Sequence, residues 1–159
     1  MKRLQPQLTF IGRPFADQLL DEQRTFTQAN LEMEQNEVFQ SFLANNNLKA
    51  KRSNMIVFGP ENFMYWYGVT VAKEIEVPQG LLRFVLPETQ VAIKQQNNQN
   101  LSFFSQPLNV VVAKFLQEVR DEGIQTYENL GDSSMPYIVQ DLNLDTKQLT
   151  QMLYLEADN

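Results

Sequence analysis

Tyr65, Trp66 and Tyr67 stand side by side in FMYWYGVTV, residues 63–71, the densest group of potential contact side chains in the chain. Flat rings stack on apolar compounds, and phenol and indole groups add a polar contact at the ring edge. Alternation along a strand places Phe63, Tyr65, Tyr67, Val69 and Val71 on one face, and Met64, Trp66, Gly68 and Thr70 on the other. Val69 and Val71 suit a core. Trp66, Gly68 and Thr70 suit a groove, with glycine leaving room beside a flat indole wall. The two tyrosines keep the choice of groove face open, and plain packing in a small core is the competing reading of all of them.

Three further segments carry groups that can recognise a ligand. In 137–141, Tyr137, Val139 and Asp141 share one strand face, opposite Ile138 and Gln140. Gln140 or Asp141 could supply a polar contact, or simply point outward from a half-exposed strand. In 151–156, Met152, Tyr154 and Glu156 alternate against Leu153 and Leu155. Glu156 would give an aromatic groove an acidic end for a cation, or would be an edge-strand charge that blocks aggregation. Phe103 and Phe104 precede a helix, as a staple fixing its entry or as a lid over the groove. The candidate ligand contacts are therefore Tyr65, Trp66, Tyr67, Phe104, Tyr137, Gln140, Asp141, Tyr154 and Glu156.

The missing residue types limit the chemistry. The 159 residues include no cysteine and no histidine. This removes disulfides, Cys- or His-based metal sites, and the Ser–His and Cys–His nucleophile systems. No phosphate-binding glycine loop or calcium-loop spacing is present, so neither cofactor nor metal is expected. Catalysis would have to rest on carboxylates, tyrosines or lysines. The net charge of -6 disfavours direct contact with nucleic acid. Too few residues precede Leu8 for a helix-turn-helix. No run approaches a membrane span and the N-terminus lacks a signal peptide, so a cytoplasmic location is expected.

The elements that must position these groups are legible from periodicity. QLTFIGRPF begins a strand, and 16–30 reads as a loop or loose helix. A helix follows, with Leu31, Gln35, Val38, Phe39, Phe42 and Leu43 at helical spacing, ending at Asn45–Asn47. Strands are expected over 54–58 and 63–72, and after Val77-Pro78-Gln79-Gly80. Pro87 divides that last run. A second helix, capped by Ser105 with Pro107 in its first turn, buries Leu108, Val111, Val112, Phe115, Leu116 and Val119, and stops at Gly123. Two closing strands flank a turn at Asp145.

Strand-helix-strand-strand thus occurs twice, over about 8–72 and 89–157. Neither unit can bury its sheet face alone. The expected fold is α+β: one domain over 1–159, a single antiparallel sheet, both helices on one face and a ligand groove on the other.

The sequence resembles the GyrI-like, or effector-binding, domain family of AraC- and MerR-type multidrug regulators, here as a freestanding member. FMYWYGVTV is similar to the family's aromatic strand. VPQGLLRFVLPETQVAIKQQ, 77–96, resembles its proline-glycine turn, strand, hydrophobic-Pro step and following strand. VVVAKFLQEVRDEGIQ with MPYIVQ is similar to its second helix and the next strand. The family's tyrosine falls on Val91. Its buried glutamate, a cation contact in several members, would fall near Val139, and 136–140 contains no carboxylate. The resemblance implies non-catalytic binding of an aromatic or apolar compound between the pseudo-repeats. Its alternatives are inhibition of DNA gyrase by protein contact, or hydrolysis of reactive small molecules. The candidate partners are a small molecule and a separate regulator or gyrase, with the chain a monomer or homodimer.

Overall fold

The computed structural model describes residues 1–156. Eight strands form one antiparallel sheet: β1 (Lys2–Gln5), β2 (Leu8–Ala16), β3 (Lys51–Phe58), β4 (Phe63–Val71), β5 (Leu82–Leu86), β6 (Thr89–Gln96), β7 (Tyr137–Asn143) and β8 (Gln148–Tyr154). Their spatial order is β1-β6-β8-β7-β3-β4-β2-β5. The order is symmetric about the β7–β3 pair: β2, β3 and β4 of the first unit occupy the places that β6, β7 and β8 hold in the second. The twofold element pattern expected from the sequence is a spatial pseudo-symmetry. The last expected residue of the second unit, Ala157, lies outside the described residues.

Two short crossovers curl this sheet. β1 lies at one end of the order and β2 next to the other, yet only Pro6 and Gln7 separate them. Three Cα steps span at most roughly 11 Å, so the two ends of the sheet must approach. Pro87 and Glu88 impose the same constraint between β5 and β6. The two bent stretches also keep one antiparallel register, from Lys2↔Ala92 through Gln5↔Thr89 and Leu8↔Leu86 to Gly12↔Leu82. Each bend carries a proline, which supplies no ladder donor where pairing must lapse. Pro87 divides the run as expected, whereas β1 was not foreseen.

The helices cover the outer face. α3 (Leu108–Asp121) buries Val111, Phe115, Leu116 and Val119, a stripe at helical spacing; each side chain contributes roughly 2 kcal/mol by leaving water. Gly123 follows with φ of +83°, the left-handed stop that glycine tolerates. Pro107, not Ser105, sits at the N-terminal boundary, and no side chain caps it; Ser105 closes a separate 3-10 turn (Leu101–Ser105). The first helical segment is two helices, α1 (Thr27–Glu34) and α2 (Glu37–Asn45). Asn36 breaks it by accepting the Phe39 N–H at 2.9 Å, a stronger local signal than the hydrophobic spacing across it. Leu31 and Val38, expected on the buried face, are consequently exposed. α2 ends as expected in the asparagine run, where Asn47 adopts φ of +58°.

Two apolar clusters result, one on each side of the sheet. The outer one joins Ile11, Ile56, Tyr65, Tyr67, Val69, Ile138 and Leu153 to the helices. The inner one contains Phe10, Met55, Trp66, Leu86, Val91, Val139, Met152 and Tyr154. Gly12 and Gly68 pair directly across β2 and β4. A Cβ on either would lie about 2 Å from a backbone oxygen of the other strand, so the close approach of these strands depends on both being glycine.

Candidate functional site

Strand alternation sorts the candidate residues into two sets. Trp66, Tyr137, Asp141 and Tyr154 belong to the inner face. Tyr65, Tyr67, Gln140 and Phe104 belong to the outer one, beneath the helices. The sheet separates the two sets.

On the outer face the polar groups satisfy one another. Gln96 donates to Gln151 (2.9 Å), Gln151 to Gln140 (2.7 Å) and Gln140 to Asn54 (2.8 Å). Asn54 donates to the Tyr65 hydroxyl at 3.4 Å, and that hydroxyl donates to Asn30 Oδ1 at 2.6 Å. Asn30 then donates to the Phe104 carbonyl at 2.8 Å. This chain crosses β6, β8, β7, β3 and β4, passes through Asn30 of α1 and ends on the 3-10 turn Leu101–Ser105. Tyr67 donates to Glu34 at 2.7 Å, and Glu34 also accepts from Arg52 at 2.8 and 3.1 Å. Burial pushes both phenols well above their ordinary values; Glu34 reinforces this at Tyr67. Tyr65, Tyr67 and Gln140 are therefore engaged in the core. Phe103 and Phe104 are buried in that core as well, on the opposite side of the sheet from any groove they could cover. The amide chain was not foreseen, because its members are neighbours only across strands.

The inner face is lined by touching rings. Phe10 meets Trp66 (centroids 6.0 Å apart), Trp66 meets Phe84 (5.6 Å), Phe84 meets Tyr137 (5.3 Å) and Tyr137 meets Tyr154 (5.9 Å), all edge-on. Phe84 lies on an end strand and Tyr137 on a central one, so the contact closes across the inside of the curled sheet. The Tyr154 hydroxyl is buried and has no hydrogen-bond partner among the described residues. Burial raises its pKa first, and the charge of Asp141 raises it further. An unmet buried hydroxyl is uncommon and calls for an explanation.

Asp141 lies at the β3–β7 seam, opposite Ser53. Its Oδ1 accepts from Ser53 Oγ at 2.5 Å and from Thr70 Oγ1 at 2.9 Å. Burial still raises this carboxyl above its ordinary value, outweighing the lowering by the two hydroxyls and by Lys51. It borders an open cleft of about 590 Å³, a size that accommodates small molecules. Ser53 and Thr70 line it beside Asp141, Met152 closes one side, and Arg3 and Gln5 of β1 face them. The cleft therefore straddles the two pseudo-repeats. Ser53, Thr70 and the β1 residues lay outside the candidate set; only the alternation from Trp66 to Thr70 pointed towards them.

Glu156 lies elsewhere. It accepts from the Ser134 N–H (2.6 Å) and the Tyr127 hydroxyl (2.7 Å), which hold its carboxyl below the ordinary value. It ties the preceding loop to the end of β8, beside a separate cavity of about 720 Å³ that Tyr154 and Met135 also line. Among the described residues no acidic cluster could hold a metal ion, and no helix is long and apolar enough to cross a membrane.

Comparison with solved structures finds chains of similar fold. SAV2435 bound to tetraphenylphosphonium matches with a TM-score of 0.58 and 8% identity, over 99% of this chain and 93% of that one. A Staphylococcus aureus MU50 protein named as a candidate for bacterial transcription regulation matches at 0.51 with 6% identity, over 99% and 97%. EcmrR, in a complex with DNA, matches at 0.50 with 8% identity, over 99% of this chain and 57% of that one. At such identities the likeness is one of fold. No family model matches the sequence, and no curated protein matches it.

Proposed function

We propose that this chain is a non-catalytic, GyrI-like effector-binding domain that takes an aromatic or apolar small molecule in the cleft over the β3–β7 seam. The observation that carries the reading is Asp141: a half-buried carboxyl held by Ser53 and Thr70 beside a cleft of about 590 Å³, with no ion-pair partner among the described residues. A partly desolvated charge without an ion-pair partner carries a cost, and a ligand that supplies a donor would offset part of it. Leu8, Leu48, Ile75 and Met152 line the same cleft and offer the ligand apolar surface. The ligand-bound SAV2435 structure supports binding by this fold. The carboxyl that the family pattern places near Val139 would here be supplied two residues on, by Asp141.

Trp66 is the single tryptophan, and it belongs to the inner cluster. Its strand also carries Thr70, which lines the cleft, so its emission is read together with the melting temperature. Titration with tetraphenylphosphonium and with neutral aromatic compounds is expected to change Trp66 emission saturably and to raise the melting temperature for at least one compound. Unchanged emission and melting across the panel would reject the binding role. Gyrase inhibition and hydrolysis have no observation of comparable weight in their favour.

A further inference from the structure

We propose that the ligand of this cleft is a zwitterion, with an ammonium seated on Asp141 and a carboxylate or phosphate facing a cationic rim formed by Arg3, Lys51 and Lys73. The inference rests on the binding role proposed above and names the ligand's charge pattern.

The charge distribution carries it. The chain holds 19 acidic and 13 basic residues, yet the cleft reverses that balance. Its lining includes Arg3, Lys51, Arg52 and Lys73, and Asp141 is the one acidic side chain among the lining residues. Arg52 is neutralised by Glu34 on the other side of the sheet. Among the described residues Arg3 donates to the neutral Gln5 side chain. Lys51 and Lys73 make no ion pair among the described residues. Three cations thus line the cleft with one carboxyl, on a molecule whose net charge is -6. A low-dielectric cleft focuses such a field and draws anionic groups to its mouth.

The depth ordering supplies the second half. The three cations are exposed, whereas Asp141 is half-buried and held from the neighbouring strands by Ser53 and Thr70. An anion alone would be repelled by Asp141, and a cation alone would have to pass the positive rim. A molecule carrying both charges at opposite ends meets each where it is favoured. Leu8, Leu48 and Ile75 give its apolar part a wall.

Three matched probes test this by Trp66 fluorescence and isothermal titration: phenylalanine, phenethylamine, which lacks the carboxylate, and 3-phenylpropionate, which lacks the ammonium. Phenylalanine is expected to bind at least tenfold more tightly than either. Lys51→Gln combined with Lys73→Gln should reduce phenylalanine to the level of phenethylamine while leaving phenethylamine unchanged or improved. Asp141→Asn should reduce it to the level of 3-phenylpropionate. Binding of phenethylamine as tight as that of phenylalanine overturns the zwitterion but leaves the binding role standing, as does binding of tetraphenylphosphonium with none of the three. A flat response to all four removes both.

Discussion

Ser53 and Asp141 face each other across β3 and β7, the strand pair that joins the two pseudo-repeats, and the serine hydroxyl donates to the carboxyl at 2.5 Å. The contact sets the inner polar centre on the pseudo-symmetry seam. It also determines how the protein responds to pH, because Asp141 carries a raised pKa.

A carboxyl with a higher pKa in the folded than in the unfolded state holds its proton more tightly when folded. Its stabilising contribution is complete below the unfolded value, near the ordinary 3.8, and is lost as pH rises through the folded value. Asp141→Asn should therefore stabilise the protein at neutral pH, by on the order of 1 kcal/mol, with the advantage vanishing in acid. Urea titrations of both proteins across that range check it; a variant less stable at pH 7 would contradict the assignment.

Tyr154 and Tyr65 should respond oppositely to loss of their hydroxyls. The Tyr154 hydroxyl has no partner among the described residues, so Tyr154→Phe removes an unmet polar group and should be neutral or stabilising by up to about 1 kcal/mol. Tyr65→Phe breaks the 2.6 Å bond to Asn30 and should cost about 1–2 kcal/mol. Thermal melts of the pair decide the matter.

Gln140 links Gln151 to Asn54 inside the outer face. Gln140→Leu would leave a buried donor and a buried acceptor unpaired, at a cost of about 2–3 kcal/mol. Hydrogen exchange should show the loss of protection centred on β3, β7 and β8 rather than spread evenly.

Gly68→Ala places a methyl about 2.0 Å from the Ile11 carbonyl oxygen, and Gly12→Ala one about 2.1 Å from that of Tyr67. Both obstacles are backbone, which cannot step aside as a side chain can. Each substitution should cost about 3 kcal/mol, read as a fall in the urea midpoint. A midpoint unchanged in either variant would show that the strands have room to separate.

Much of the fold was legible because its signals are local. Alternation in 63–71, the stripe from Val111 to Val119, Gly123 as a helix stop and Pro87 as a divider each depend on a few consecutive residues. The misreadings are local too. Asn36 outcompeted the hydrophobic spacing that suggested one helix, and β1 is too short and polar to announce itself without its partner β6. Strand alternation also separated Trp66 from Tyr65 and Tyr67 correctly.

The sequence by itself determined the α+β pattern, its twofold repetition, and which side chains share a strand face, since a side chain's direction follows from backbone period. It excluded histidine and cysteine chemistry outright. Tertiary structure alone decided which face carries an open cleft. That outcome depends on Pro6-Gln7 and Pro87-Glu88 drawing the ends of the sheet together, and on Gly12 meeting Gly68. Those contacts bring Arg3 and Asp141 to one cleft and Phe84 against Tyr137, pairs distant in sequence that no local period can bring together.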